Sequence, residues 1–292
     1  MSIKYDFAVL SCSGDRDYNE DCIQVQESEG QILFALADGL GGMGGGTISS
    51  SLAIQGAMEL FLDRNEEFTL DYAMECAQKA VRTGQMMHPD ADKMSSTLVL
   101  LQFKDGTASW IHIGDSRLYM FRDNLLYMMT EDHSVPQMLV SMGEITPDQI
   151  RNHQDRNRLL RTLGLEEEIK EELPKRSCRL QDKDAFLICS DGFWELIREK
   201  EMSDALQTSG SSNEWLSAMR KVVEKRGRDN EMDNYSAICV IASQDEQGCQ
   251  QDSSETAEKR FINKSILKVF LIIILTGVLT CEIMYILSQL SL

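Results

Sequence analysis

The sequence has little positive charge. Only 29 lysines and arginines stand against 47 aspartates and glutamates among 292 residues, which gives a formal net charge of −18 at pH 7. Proteins that hold nucleic acid through its phosphates need clustered basic residues, so we expect no nucleic-acid partner. Hydrophobic residues make up 42% of the chain, which is enough to fill the core of one large domain or two small ones.

The sequence also has no Cys-x-x-Cys motif and no pattern typical of an export signal. None of the eight cysteines belongs to a Cys-x-x-Cys pair, and several, such as Cys189 and Cys239, lie inside apolar runs. Interpreted as small buried hydrophobic residues, they indicate a reducing cytosol and not a disulfide framework. The first residues show no basic stretch followed by an apolar one, so no signal peptide is predicted.

Two familiar phosphate-binding loops are not expected either. The glycine-rich stretch Gly41–Gly46 lacks the Gly-Lys-Ser/Thr ending of a nucleotide-binding loop. A cysteine-dependent phosphatase would need a Cys-x5-Arg loop to form a covalent phosphocysteine, and we expect none here.

Residues 1–243 are predicted to form one mixed α+β domain. Strand-length apolar runs occupy residues 7–11, 32–37, 97–103, 108–113, 117–121, 185–189 and 235–241, and helical patterns occupy 47–62, 70–86, 135–142, 147–152 and 213–225. Residues 97–129 resemble an unbroken antiparallel meander with turns at Asp105 and Asp123. Because strands and helices do not strictly alternate, we expect antiparallel sheets and not a doubly wound parallel sheet.

The composition changes after residue 243. Residues 244–265 form a polar linker followed by a basic juxtamembrane segment, and residues 266–292 are predicted to be a single-pass transmembrane anchor. The uncharged stretch Val269–Cys281 is only 13 residues long, and Glu282 separates it from the last apolar residues. Thirteen Leu, Ile, Val and Phe residues between positions 269 and 290 nevertheless outweigh the roughly +3 kcal/mol of one central acid. A buried core helix remains the alternative.

The charges around this stretch predict its orientation. Lys259, Arg260, Lys264 and Lys268 precede it, and no charged residue comes after Glu282. The positive-inside rule therefore places the preceding domain in the cytoplasm, at the cell membrane.

Seven short polar motifs, most of which contain an acidic residue, are spread along the domain. They are Arg16-x-x-Asn19-Glu20-Asp21, Ala37-Asp38-Gly39-x-Gly41-Gly42, Ser96-Thr97, Gly114-Asp115-Ser116-Arg117, Asp132-His133-Ser134, Ser190-Asp191-Gly192 and Asp233-Asn234. Carboxylate and carbonyl oxygens are the ligands that Mg²⁺ and Mn²⁺ prefer, so the first two motifs resemble two halves of one metal site. The two aspartate motifs near the end of the domain could complete that site.

This ordered set resembles the metal-dependent serine/threonine protein phosphatases, the PPM family of type 2C. The resemblance runs from about residue 14 to residue 240, which is nearly the whole of the predicted domain. It implies a central sandwich of two antiparallel sheets flanked by helices, with two Mn²⁺ or Mg²⁺ ions at one end. It also implies phosphorylated protein substrates, and opposition to a serine/threonine kinase, such as a receptor-like one.

The resemblance assigns residues to these ions by position. The implied metal residues are Glu20, Asp21, Asp38, Gly39, Asp115, Asp191 and Asp233. Asp38 would bridge both ions, Gly39 would offer its backbone carbonyl to the first, and Asp191 with Asp233 would hold the second.

The remaining residues have less direct roles. Glu20 would act largely through water, beside Asp21, and Asp115 with Asp191 would contribute to a weaker third metal position. Arg16 would bind the substrate phosphate, because a guanidinium fork donates two hydrogen bonds in the right plane. Asp38 and Arg16 are thus the predicted catalytic residues.

The chemistry of such a site explains why no protein nucleophile is needed. Two divalent ions roughly 3.5 to 4 Å apart share one hydroxide, lower its pKa, and stabilise an in-line displacement at phosphorus.

Three details depart from the pattern or stay open. Leu40 stands where animal members carry a histidine suspected of protonating the leaving group, so no general acid is expected from that position. The arginine-rich segment 143–165 corresponds to the mobile flap of bacterial members, and a phosphopeptide could use its charge. Asp132 or Ser134 could cap the following helix. For His133, a buried imidazole is favoured over a role in proton transfer.

Two other functions remain as alternatives. A pseudophosphatase would use the fold only to bind a phosphorylated partner, although the metal aspartates Asp21, Asp38, Asp191 and Asp233 are all present. An enzyme acting on a phosphorylated anti-sigma antagonist is the second alternative.

Overall fold

The computed structural model describes residues 3–28, 30–42, 44–62, 68–165, 173–228 and 231–244. All of them belong to one compact unit, Met1–Glu246. The predicted anchor and all but the first residue of the predicted linker lie outside the described residues. Within the described ranges, no helix is long and apolar enough to cross a membrane.

Two antiparallel sheets form the centre of the domain. The strands are β1 (Ile3–Cys12), β2 (Asp21–Ser28), β3 (Gln31–Leu40), β4 (Ser95–Ser96), β5 (Leu98–Lys104), β6 (Thr107–Ile113), β7 (Arg117–Arg122), β8 (Leu125–Met129), β9 (Arg176–Arg179), β10 (Ala185–Cys189) and β11 (Tyr235–Gln244). The first sheet has the order β1-β11-β10-β7-β8 and the second the order β2-β3-β5-β6-β9, with β4 paired to β3.

Helices cover the outer faces of both sheets. They are α1 (Gly45–Leu62), α2 (Leu70–Met87), α3 (Val135–Ser141), α4 (Asp191–Trp194), α5 (Glu199–Gln207) and α6 (Ser212–Gly227), with short 3-10 helices at Pro89–Ala91 and Pro147–Asn152. Hydroxyl side chains cap several N-termini: Thr69 accepts the backbone N–H of Tyr72, and Ser211 accepts that of Glu214. Such caps satisfy N–H groups that the first turn leaves without partners.

The core has three apolar layers. One lies between the second sheet and helices α1 and α2, one between the first sheet and helices α4 to α6, and one between the two sheets. Strand β3 contributes to two of them: Leu33 and Ala35 face the helices, whereas Ile32 and Phe34 face the other sheet. Strands buried on both faces have continuous apolar sequences, which is why this run does not alternate with polar residues.

The predicted α+β fold with two antiparallel sheets flanked by helices is confirmed, but the unbroken meander is wrong. Strands β5 and β6 pair in the second sheet, whereas β7 and β8 pair in the first, so the chain changes sheets between Ile113 and Arg117. Gly114 makes that crossing at φ +99°, where a Cβ would press against the Thr97 side chain. Both predicted hairpin turns are present, with Asp105 and Asp123 at positive φ.

Candidate metal centre

The predicted site residues meet at one end of the sandwich. Asp21 begins β2 and lies directly opposite Asp38, near the end of β3. Asp191 follows β10, and Asp233 lies just before β11, the strand that pairs with β10. Since β10 and β11 run antiparallel, the end of one and the start of the other lie at the same edge of the sheet.

The backbone of Asp38 is fixed by the next strand. Its N–H donates to the hydroxyl of Thr97 at 2.9 Å, and its carbonyl accepts from the N–H of Thr97 at 2.8 Å and the hydroxyl of Ser96 at 3.0 Å. The Ser96-Thr97 motif thus holds the aspartate in place, which the sequence did not reveal.

Asp21 is buried without a full set of hydrogen bonds. Its Oδ2 accepts from the Ser190 hydroxyl at 2.8 Å, but its Oδ1 has no hydrogen-bond partner. Burial, with the nearby charges of Asp191 and Asp233, raises the pKa of Asp21 to about 7. Buried polar atoms normally have a hydrogen-bond partner, so the lone pairs of this Oδ1 are free to bind a donor or a cation.

The other carboxylates repel one another in the same way. Burial and the charges of Asp21, Asp191 and Asp115 raise the pKa of Asp38 well above its usual value. Burial and Asp191 likewise raise the pKa of Asp115, and burial and Asp233 raise that of Asp191. The Asp38 and Asp191 carboxylates lie close enough to shift each other's pKa, Asp191 raising that of Asp38 and Asp38 lowering that of Asp191.

Two glycines bring a further pair of oxygens together. A Cβ on Gly39 would overlap the backbone of Gly46, and a Cβ on Gly46 would overlap the carboxylate of Glu20 and lie 2.7 Å from the Gly39 carbonyl oxygen. The backbone N–H of Gly46, at the start of α1, hydrogen-bonds to the Glu20 carboxylate. The absence of both side chains therefore lets the Gly39 carbonyl and the Glu20 carboxylate approach each other.

Arg16 lies at the mouth of the site and pairs with Asp233. Its Nε and Nη2 donate to the two carboxylate oxygens of Asp233, each at 3.1 Å. About half of each side chain is exposed (51% and 49%), so solvent screens this pair and it adds little to stability. The guanidinium fork is nevertheless already oriented towards the acidic cluster.

A buried ion pair under Asp115 was missed by the sequence analysis. Arg117 donates to both carboxylate oxygens of Asp132 at 2.7 Å and stacks on Trp194, whose indole N–H donates to the Asp115 carbonyl at 3.0 Å. Pairs this deeply buried typically cost about 3 to 5 kcal/mol when one partner is removed. The Arg and the Asp lie in different motifs, and nothing in their spacing indicates that they meet.

The three residues of the Asp132-His133-Ser134 motif have separate structural roles. Ser134 caps α3, because its hydroxyl accepts the N–H of Gln137, whereas Asp132 belongs to the ion pair with Arg117. His133 accepts the N–H of Gly114 and stacks on His112. Burial and the charge of Arg161 help lower the pKa of His133 to about 3, so it stays neutral at physiological pH.

Two arginines of segment 143–165 already pair with acidic side chains of the same domain. Arg151 donates to Glu199 at 2.7 Å, and Arg156 donates to Glu195 at 3.0 Å. Acidic residues of this domain thus already pair with these two side chains, and a phosphopeptide would have to replace those partners, so its use of this segment stays a prediction.

A Cys-x5-Arg spacing does occur once, between Cys76 and Arg82, but within α2. The N–H groups inside a helix are used by the helix itself and cannot cradle a phosphate, as the loop of a cysteine phosphatase does. The expectation of no such loop therefore holds at this position.

The residues at the end of the sandwich are of the chemical kind that divalent ions prefer. In the described part of the chain, no three acidic, histidine or cysteine side chains already stand around one point as a complete ligand set. Hard cations with oxygen ligands would nevertheless give the Asp21 oxygen a partner and relieve the repulsion among the carboxylates.

Comparison with known proteins identifies the family. A family model described as Protein phosphatase 2C matches residues 11–237. The chain therefore belongs to the protein phosphatase 2C family.

The relatives are named phosphatases. The chain is 32% identical over 228 residues to serine/threonine protein phosphatase PstP of Mycobacterium tuberculosis, a match that covers 76% of this chain and 42% of that protein. It thus spans less than half the length of this relative. It is 30% identical over 207 residues to serine/threonine phosphatase stp of Listeria welshimeri, covering 68% of this chain and 81% of the relative.

A solved structure shows the same fold with metal. The catalytic domain of PstP in complex with two manganese ions has a TM-score of 0.70 and 28% identity, covering 83% of this chain and all of that one (100%). The predicted family is confirmed, and the predicted Mn²⁺ or Mg²⁺ cofactor agrees with the manganese of that relative. The assignments of individual ligands remain predictions.

Proposed function

We propose that this protein hydrolyses phosphoserine and phosphothreonine in other proteins, with Mn²⁺ or Mg²⁺ held at the acidic end of the sandwich. The cluster of carboxylates Asp21, Asp38, Asp115 and Asp191 carries the proposal. Each has a raised pKa, and in the described residues no lysine or arginine forms a salt bridge to any of them. Such a cluster favours the binding of cations.

The proposed metal residues follow from their positions. Asp38 would contact both ions, with the Gly39 carbonyl and Glu20 beside the first ion and Asp191 with Asp233 at the second. Asp115, buried above the Arg117 ion pair, would contribute to a weaker third position. When bound, two ions would supply an activated hydroxide and stabilise the charge that develops on phosphorus.

Arg16 is the proposed phosphate-binding residue. Its two donors already form a planar fork with the Asp233 carboxylate, and a phosphate dianion offers the same arrangement of acceptors. In substrate binding, the phosphate would take the place of Asp233 as partner. The exposure of both side chains makes that exchange possible without unfolding the loop.

Neither Leu40 nor His133 is expected to protonate the leaving group. Leu40 has no titratable group, and His133 is neutral, with its Nδ1 accepting the N–H of Gly114. We therefore assign protonation of the leaving serine or threonine oxygen to solvent, and no side chain to that role.

The proposed cellular role is to oppose a serine/threonine kinase, such as a receptor-like one, at the membrane. Residues 266–292, which lie outside the described residues, would anchor the chain. The linker would then hold the site near membrane-bound phosphoproteins and raise its effective concentration towards them.

Replacement of Asp38 tests the metal centre. Asp38→Asn removes the charge proposed to bridge the ions, so hydrolysis of p-nitrophenyl phosphate and phosphothreonine peptides with saturating Mn²⁺ should fall to a few per cent or less. The matched control is Asp123→Asn, in the β7–β8 turn at φ +53°, where asparagine is equally suited. Full activity in Asp38→Asn would remove Asp38 from the mechanism.

Replacement of Arg16 tests phosphate binding. Arg16→Ala removes a charge-assisted fork worth about 1.5 to 3 kcal/mol, which corresponds to a rise in KM of roughly 10- to 150-fold for a phosphopeptide. Arg220→Ala, which breaks another exposed arginine pair at Glu224, should leave KM unchanged. If Arg16→Ala weakens Mn²⁺ binding and leaves KM for the phosphopeptide unchanged, the arginine orients the carboxylates instead.

Fractionation of the full-length protein tests the anchor. The apolar stretch with basic residues before it should place the protein in the membrane fraction, resistant to carbonate extraction, with its C-terminal end on the far side. A protein truncated after residue 258 is the control. Recovery of the full-length protein in the soluble fraction would favour the buried-helix alternative.

A further inference from the structure

The Asn234 side chain joins elements that the proposed mechanism uses separately. It is only 6% exposed. Its Nδ2 donates to the carbonyls of Ser13 and Tyr18, both at 2.9 Å, and its Oδ1 accepts the N–H of Glu20 at 2.8 Å. The primary amide thus uses both N–H groups and one oxygen lone pair in one set of contacts.

These contacts hold the loop that carries Arg16. Residues 13–20 form that loop between β1 and β2; Ser13 begins it, Tyr18 lies near its end, and one carboxamide binds the carbonyls of both. Within the loop, the N–H of Arg16 donates to the Ser13 carbonyl at 3.1 Å. The position of the guanidinium therefore depends on a side chain 218 positions away in the sequence.

The neighbouring backbone adds two further links. The N–H of Asp15 donates to the carbonyl of Met232 at 2.8 Å, and the N–H of Met232 donates to the Asp15 carboxylate at 2.9 Å. Gly14, at φ +59°, packs so closely against the Asp233 carbonyl that a Cβ would overlap it. The two segments form one packed unit.

Asn234 also contacts the aspartates of the site through its backbone. Its N–H donates to the Asp233 carboxylate at 2.9 Å, and its carbonyl lies where a Cβ on Gly192, next to Asp191, would be. The same residue thus orients the carboxylate that pairs with Arg16 and sits against the start of α4.

We propose that Asn234 is a positioning residue that sets the distance between the phosphate-binding Arg16 and the carboxylates at the metal centre. The proposal rests on the proposed function and extends it. Neither the motif nor its position assigns the asparagine a role, whereas the aspartate before it is a predicted ligand. An asparagine that served stability alone would not act through Arg16.

A double-mutant cycle separates these possibilities. Asn234→Ala should raise KM for a phosphothreonine peptide about tenfold at saturating Mn²⁺, while kcat changes less than about threefold. In an Arg16→Ala background, the same substitution should raise KM less than about twofold, because the residue through which it acts is gone.

The control removes a buried polar anchor at the other end of β10. Asp184, fully buried (0% exposed), accepts from Nε and Nη2 of Arg122 at 2.8 Å each. Asp184→Asn should lower the unfolding temperature without changing KM in either background. This control variant thus shows how a loss of stability alone affects KM.

A second measurement does not depend on turnover. In the metal-free protein, Asn234→Ala should speed amide hydrogen exchange in residues 13–20, and not in β10, because the loop loses its anchors. If Asn234→Ala fails to fold, Asp15→Ala removes a weaker, exposed link of the same unit and should shift exchange and KM in the same direction.

The outcomes distinguish the two proposals. Additive effects on KM, or unchanged exchange in residues 13–20, would overturn the role of Asn234 while leaving the phosphatase proposal intact. A wild-type protein without Mn²⁺-dependent activity on any phosphopeptide would overturn the proposed function, and the exchange measurement would still report whether Asn234 holds the loop.

Discussion

Electrostatic repulsion among carboxylates is the constraint on which this domain depends. Strand pairing places Asp21 opposite Asp38, and antiparallel pairing of β10 with β11 brings Asp191 and Asp233 to the same edge. Several negative charges in a partly buried volume raise one another's pKa, and only protons or cations relieve them. A sandwich with dry apolar layers on both faces of its strands tolerates this cost because its edges cannot move apart.

The scaffold restrains the acidic cluster mainly through uncharged groups. Thr97 and Ser96 hold the Asp38 backbone, the Ser190 hydroxyl reaches Asp21, and Asn234 fixes the loop of Arg16. Neutral donors orient carboxylates without neutralising them, which leaves the charge available for ions. The permanent ion pair, Arg117 with Asp132, lies below the cluster and supports Asp115 through Trp194.

The sequence predicted what local patterns can encode. Ordered acidic motifs after apolar runs located the site residues, and continuous apolar runs predicted strands such as β3, β10 and β11. It could not show to which sheet each hairpin belongs, because β5–β6 and β7–β8 have the same local pattern and differ only in long-range pairing. The missed helix α5 has a strongly charged sequence, so its short apolar face gave little signal.

The unpredicted parts of the site have a common physical cause. The Arg117–Asp132 pair, the pairing of Arg151 with Glu199, and the contacts of Asn234 with Ser13 each join residues that are distant in sequence. A polar residue in a motif shows no sign of which partner it meets, since that depends on the tertiary fold. Ligand types can therefore be predicted from one sequence, whereas the groups that orient them cannot.

Calorimetric titration of the metal-free protein with Mn²⁺ tests the central claim most directly. The account predicts saturable binding of two ions per chain, with protons released near neutral pH, because the pKa of Asp21 is raised to about 7 and metal ligands must be deprotonated. Since Asp21 is largely protonated below that pH, affinity should fall about tenfold between pH 8 and pH 6 for each such proton. Absence of saturable binding, or binding with neither proton release nor pH dependence, would contradict it.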